Sequence, residues 1–137
     1  VDELAAYARE REVEYVVSAE ARGFVLGGAL AAAAGAGFIL ARKPGKLPRE
    51  TSSVEYQLEY GIDALEVHSD AISGGARVLV HDDLLATGGT ASALCGLVEH
   101  AGGVVAGCGF VIELAFLSGR ERLRGYDVRS LIVYDSE

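Results

Sequence analysis

Asp82 and Asp83 stand side by side behind the apolar run Val78-Leu79-Val80 and His81, and Ala86-Thr87-Gly88-Gly89-Thr90 follows two leucines later. Adjacent carboxylates repel one another and lose solvation when buried, so a cation or the hydroxyls of a sugar should offset them. Neighbours on a strand point to opposite faces, which leaves one aspartate for a ligand and the other for a cap or an ion pair. The small-residue loop ends where an amphipathic pattern begins. The first N–H groups of a helix have no partner within it, and its dipole favours an anion there. Gly88 and Gly89 let the backbone come close to such an anion, and the hydroxyls of Thr87 and Thr90 can donate to it. No lysine follows the glycines, so this is not a Walker loop. Taken by itself the loop is equally a threonine cap with turn glycines; beside two carboxylates it reads as a site for a phosphorylated sugar.

The elements that must position these groups follow from periodicity. Val1 to Arg11 repeats apolar residues at Val1, Leu4, Ala5 and Ala8, the spacing of a helix. Val13 to Ser18 reads as a strand, Gly23 to Ala34 as a small-residue helix and Phe38 to Ala41 as a second strand. Val54 to Leu58 and Ala64 to His68 form two arms of a β-excursion about Glu59-Tyr60-Gly61. Arg77 to Asp82 is a strand that delivers the aspartates at its end. Gly88 to His100 is a helix with Ala91, Leu94, Cys95 and Val98 on one face. Val104 to Ile112 is a buried strand, Ser118 to Leu123 a helical turn and Ser130 to Val133 a last strand. Alternating strands and helices predict an α/β fold with a mostly parallel central sheet and helices on both faces. In such sheets ligands bind at the carboxyl ends of the strands. Glu20–Gly23, the segment from Arg42 onward and Asp82–Thr90 all fall there.

Composition bounds the function. The 137 residues are half hydrophobic, with 18 glycines and two prolines, which suits a single domain. A net charge of −8 argues against affinity gained by neutralising nucleic-acid phosphates. Cys95 and Cys108 sit in apolar surroundings and read as reduced core residues. Phe24 to Ala41 carries no charge, but Gly35-Ala36-Gly37 splits it, so it reads as helix then strand rather than a membrane span. The chain opens on Val1 already within a helical pattern, as though in mid-domain.

Arg42 to Val54 differs in kind. It holds both prolines and four basic residues, Arg42, Lys43, Lys46 and Arg49. A polar loop of this length in a compact domain is commonly functional.

Val78 to Thr90 resembles the phosphoribosyl-diphosphate signature of the type I phosphoribosyltransferases. Arg42-Lys43-Pro44-Gly45-Lys46-Leu47-Pro48, Leu58-Glu59-Tyr60-Gly61 and Ala21-Arg22-Gly23-Phe24 resemble blocks of the adenine-specific branch of that family, in the same order. The resemblance implies an enzyme of purine salvage that joins adenine to the ribose 5-phosphate of 5-phosphoribosyl 1-diphosphate, giving AMP and diphosphate, with Mg²⁺. By similarity, Ala86, Thr87, Gly88, Gly89 and Thr90 cradle the 5-phosphate. Asp82 and Asp83 lie under the ribose hydroxyls and help place Mg²⁺ through these or through water, with no direct protein ligand to the metal. Ala21, Arg22, Arg42, Lys43 and Lys46 surround the diphosphate, the basic loop reaching it from a partner subunit of a homodimer. Glu59 serves as general acid–base near N7 of the purine, Tyr60 closes over the site, and Arg22 joins them as a catalytic residue. The resemblance makes residues 42–60 a flexible catalytic loop within one core domain over 1–137; the lack of a membrane span and the charge of −8 lead to the expectation of a cytoplasmic protein that binds neither nucleic acid nor membrane. It also points to the Glu20–Ala21–Arg22 turn as a place for a non-proline cis peptide.

Departures accompany it. Glu20 and Ala21 stand where Asp and Ser are more frequent. His81 takes a usually apolar position, and as the last residue before the aspartates it is expected to face a polar surface. The family's N-terminal hood over the base is expected to be missing from these residues. Transfer to xanthine or another purine, and a non-catalytic phosphoribosyl-diphosphate-binding remnant, stay open alternatives.

Overall fold

A computed structural model describes residues 1–58 and 61–137, with 57, 58 and 61 described by backbone alone. The order is α1 (Asp2–Glu10), β1 (Tyr15–Ala19), α2 (Gly23–Ala34), β2 (Gly37–Ala41), β3 (Thr51–Leu58), β4 (Gly61–His68), β5 (Arg77–Leu85), α3 (Gly89–His100), β6 (Val104–Leu114) and β7 (Val128–Tyr134). Two 3-10 turns, Ala115–Leu117 and Gly119–Leu123, join β6 to β7. Five strands form one sheet in the order β2-β1-β5-β6-β7, and every pairing in it is parallel. The predicted α/β class with a parallel sheet is the one observed.

Helices cover both faces, and the central strand shows why. On β5, Val78 and Val80 join the cluster that contains Leu94, Cys95 and Val98 of α3. Leu79, between them, joins Leu4 and Ala8 of α1 and Leu30 of α2. A strand buried on both sides has no polar face to alternate with, hence its continuous apolar run. α1 meets the sheet with Leu4, Ala5, Tyr7 and Ala8. It carries Asp2 and Glu3 in its first turn and Arg9 in its last, as the helix dipole favours. α2 lies close to the sheet because Gly27 has no side chain: a Cβ there would lie 2.7 Å from the Phe38 ring and 2.8 Å from Ser18 Oγ.

Several boundaries differ from those expected. β5 continues through both aspartates to Leu85, because its pairing with β6 runs on to Leu84↔Ile112 and Leu85↔Glu113. Asp82 and Asp83 therefore sit within the strand and not at its end. β3 starts at Thr51, so the polar connection is shorter than expected: Thr51 to Val54 pair with His68 to Leu65, and Thr51 Oγ1 donates to Glu66 Oε2 at 2.9 Å. The antiparallel β3–β4 hairpin is otherwise the expected excursion, tied to the main sheet by an Arg42↔Glu66 bridge. Cys95 and Cys108 are buried free thiols with sulfurs 3.6 Å apart. Phe24 to Ala41 is divided between α2 and β2, and no described helix is long and apolar enough to cross a membrane.

Candidate active site

The small-residue loop is held by its surroundings. Gly88 has φ +86°, a backbone region that disfavours any side chain, and a Cβ on it would lie 2.6 Å from the Gly119 carbonyl oxygen. The loop thus turns sharply into α3 while touching the Gly119–Leu123 turn. No side chain caps α3. The threonine-cap alternative therefore fails at Thr87 and Thr90, and the residues that open α3 are left to line the cleft. Leu84 through Ala91, with Arg22 and Asp82, line a cavity of about 110 Å³.

Beside it lies a second cavity of about 150 Å³, lined by Ala19, Glu20, Arg22, Gly23, Lys43, Tyr56, Leu65, Asp82 and Thr90. Arg22, Asp82 and Thr90 belong to both, so one cleft runs from the loop to the turn after β1. Asp82 faces this cleft and Asp83 does not, the division that strand alternation predicts. Asp83 N–H donates to Asp82 Oδ1 at 2.8 Å, and Arg22 Nε lies 3.5 Å from Asp83 Oδ2. Burial, and then the neighbouring Asp83, push the Asp82 carboxyl up to about 7. Asp83 Oδ1 is buried without a hydrogen-bond partner. A carboxylate pair so placed wants a cation or hydroxyl donors, which is the donor set a hydrated Mg²⁺ or a ribose would meet. Among the described residues no three His, Cys, Asp or Glu side chains gather as metal ligands.

The basic arm reaches the same cleft from the other side. Glu20 is its hub: its carboxylate accepts the Lys43 backbone N–H at 2.6 Å and lies 3.5 Å from Arg42 Nε and 3.6 Å from Lys46 Nζ. The Lys43 N–H bond, with Lys46 and Arg42 behind it, holds the Glu20 carboxyl below its ordinary value. Lys43 Nζ in turn donates to Asp63 Oδ2 at 2.6 Å. Arg42, Lys43 and Lys46 are thus brought together, around carboxylates of their own chain. Of the three, only Lys43 lines the cleft. The Glu20–Ala21 peptide is cis, and Ala21 is exposed beside Arg22. Glu59 and Tyr60 lie outside the described residues.

His81 is not on a polar surface. It is wholly buried, because β5 does not end there and His81 lies on the same face as Leu79. Its Nδ1–H donates to the Gly109 carbonyl at 2.9 Å, and burial lowers its pKa. Three site residues escaped sequence reasoning. Asp63 pairs with Lys43 across the hairpin, and Tyr56 reaches the cleft from β3. Ser18 is fully buried on the α2 face of β1, under Gly23 and next to Asp82. The alternation of β3 and β4 about residues 59–60 could have located Asp63 and Tyr56 on one face; nothing local marks Ser18.

A parallel sheet whose central strand carries an aspartate pair into a glycine loop and a helix start, with a basic arm opposite, defines a type I phosphoribosyltransferase. No family model matches the chain. The adenine phosphoribosyltransferase of Rubrobacter xylanophilus is 65% identical to it over 135 residues, 98% of this chain and 73% of the relative. That of Clostridium perfringens strain SM101 is 57% identical over 98% of this chain and 78% of its own length. The crystal structure of adenine phosphoribosyltransferase from Thermoanaerobacter pseudethanolicus superposes with a TM-score of 0.91 at 53% identity, covering 96% of this chain and 77% of that one. The chain belongs to the adenine phosphoribosyltransferase family. It is a purine-salvage transferase converting adenine and 5-phosphoribosyl 1-diphosphate to AMP and diphosphate.

Proposed function

We propose that the cleft divides this reaction between its two sides. The observation that carries the division is that Asp82 lies in both lobes, between the glycine loop and the basic arm. The loop 86–90 takes the 5-phosphate on backbone N–H groups and the hydroxyls of Thr87 and Thr90. Asp82 lies under the ribose hydroxyls, with Asp83 behind it. Ala21, Arg22, Arg42, Lys43 and Lys46 surround the diphosphate. Mg²⁺, when bound, neutralises the diphosphate; Asp82 and Asp83 would hold it through water and the ribose hydroxyls. As the bond from C1 to the diphosphate oxygen breaks, its electron pair leaves with the diphosphate. N9 of adenine, its purine proton carried on N7, gives its lone pair to C1, and the N7 proton passes to a carboxylate acceptor as the new bond forms. A fixed negative carboxylate beneath the ribose favours the positive charge that develops at C1. On the sequence alone, Glu59 is assigned the purine proton near N7 and Tyr60 the closure over the base.

A homodimer and a cytoplasmic location belong to the same proposal. α2 has no charged residue between Gly23 and Ala34, and Val25 on it is 75% exposed, which suits a face covered by a second copy. Light scattering behind size-exclusion chromatography should give twice the chain mass. A coupled assay with adenine, hypoxanthine, guanine and xanthine tests the acceptor. Adenine should be turned over far faster than the rest, and equal turnover of xanthine would overturn its assignment. Glu59→Ala should lose most activity; unchanged turnover removes Glu59 from the mechanism.

A further inference from the structure

The glycine loop lacks the lysine that other phosphate loops supply, yet a phosphate monoester at neutral pH carries nearly two negative charges. It also sits in an acidic protein, beside Asp82 and Asp83. Arg22 lines the loop's cavity but faces Asp83 at 3.5 Å; a second guanidinium, that of Arg122, lies against the loop from the Gly119–Leu123 turn. The Gly119–Leu123 turn is pinned against the loop: Leu123 is buried in the core, a Cβ on Gly88 would lie 2.6 Å from the Gly119 carbonyl oxygen, and a Cβ on Gly119 would lie 2.5 Å from the Ala86 carbonyl oxygen. Arg122, next to that anchor, lays its Cβ 3.2 Å from where a Gly88 side chain would begin. Its Nη1 lies 3.4 Å from the corresponding point on Gly89, and Thr87 Oγ1 lies 3.9 Å from the same point. The guanidinium and the threonine hydroxyl therefore share one side of the loop. Among the described residues Arg122 makes no ion pair, whereas Arg22, Arg42, Lys43, Lys46, Arg49 and Arg120 each face a carboxylate.

We propose that Arg122 binds the 5-phosphate of the ribose, as the side-chain cation that the glycine loop itself does not provide. This rests on the assignment of residues 86–90 to that phosphate. Arginine suits the task, since its fixed fork of donors matches phosphate oxygens and it stays charged at every working pH. The cation arrives from a segment some thirty residues downstream, held in register by the Gly88–Gly119 contact. The 5-phosphate would thus be recognised by two elements at once, and a sugar lacking it would gain nothing from Arg122.

Isothermal titration with ribose 5-phosphate and with inorganic diphosphate separates the possibilities, using Arg122→Gln, Arg122→Lys and Thr87→Val, each checked for an unchanged melting temperature. Arg122→Gln should weaken ribose 5-phosphate by about tenfold or more and leave diphosphate within about twofold. Arg122→Lys should recover part of the loss, which a merely structural role of the arginine would not produce. If Thr87→Val weakens ribose 5-phosphate and Arg122→Gln does not, the proposal falls and the loop assignment stands. If neither does, the loop assignment falls with it.

Discussion

The glycine loop and the basic arm both gather groups for an anion, but the forces that hold them differ. The loop comes from one contiguous stretch. β5 is buried on both faces, α3 is anchored by Leu94, Cys95 and Val98, and the turn between them is wedged against Gly119. Close packing leaves such a region one arrangement. The arm instead is assembled from Glu20, residues 42–46 and Asp63, joined by ion pairs whose basic partners are one-third to one-half exposed. Exposed pairs contribute little and weaken with salt. One side of the cleft is thus preformed by packing, and the other is balanced by charge. On the proposed assignment, a rigid site holds the phosphate that stays attached and an adjustable one the diphosphate that leaves, a division that suits release of a product.

This contrast fails first, if it fails, at the aspartates. Asp82→Asn removes the charge shared by both lobes and should lower kcat/KM by about 100-fold or more. Asp83→Asn should cost less, because Asp83 acts on Asp82 and Arg22 and does not line the cleft. Steady-state kinetics with 5-phosphoribosyl 1-diphosphate as the varied substrate decide it. Equal losses would mean that both carboxylates face the ligand. Next is Gly88→Ala, which tests packing directly. It forces a side chain at φ +86° and against the Gly119 carbonyl, at about 1–3 kcal/mol of strain. The melting temperature should fall by several degrees and KM for 5-phosphoribosyl 1-diphosphate should rise by about tenfold. A tolerated alanine would show that the loop is not fixed by that contact.

The same contrast explains what the sequence could disclose. The loop side was legible because its chemistry and its fold are written in one run of residues. The apolar period, the aspartates, the glycines and the helix start follow one another between Val78 and Val98. Its errors were of extent: an Asp pair reads as the end of a strand, and only the pairing with Ile112 and Glu113 shows that β5 continues. His81 was misplaced by the same error. The arm was legible as composition but not as structure. Four basic residues and two prolines announce a special loop, yet nothing local says that Glu20, over twenty residues earlier, gathers two of those cations and the backbone N–H of a third residue. Arg122 was invisible for the same reason: its neighbour is set by a contact between two distant glycines.

Glu20→Gln probes the charge-balanced side. Glutamine keeps an oxygen for the Lys43 N–H and removes the charge that Arg42 and Lys46 face. Inorganic diphosphate, as a product inhibitor, should bind about three- to fivefold more tightly at low ionic strength, and the gain should fade as salt is added. Weaker binding at low salt would mean that Glu20 serves the anion by positioning the arm rather than by competing with it.

The smallest effect separates the two sides by the sign of their pH dependence. Asp82 has its pKa raised in the folded protein from 3.8 to about 7, so between those values the folded state holds a proton that the unfolded chain has released. Its contribution to stability therefore declines as pH rises through that window and is constant above it. Glu20 and Asp63 have theirs lowered, Glu20 by the Lys43 N–H first and Asp63 by the Lys43 ammonium first. Their contribution is present above the ordinary carboxylate values of 4.5 and 3.8 and is lost as pH falls. Thermal unfolding at about pH 5 and about pH 8 should show Asp82→Asn gaining on the parent protein by a few degrees as pH rises. Glu20→Gln should lose slightly against the parent at both, and recover only near pH 4 and below. A melting-temperature difference for Asp82→Asn that is the same at both pH values would mean that Asp82 is already ionised at the lower one. The carboxylate most needed for the reaction would then cost the fold nothing specific to its charge, and the preformed side would no longer differ from the charge-balanced side in this respect.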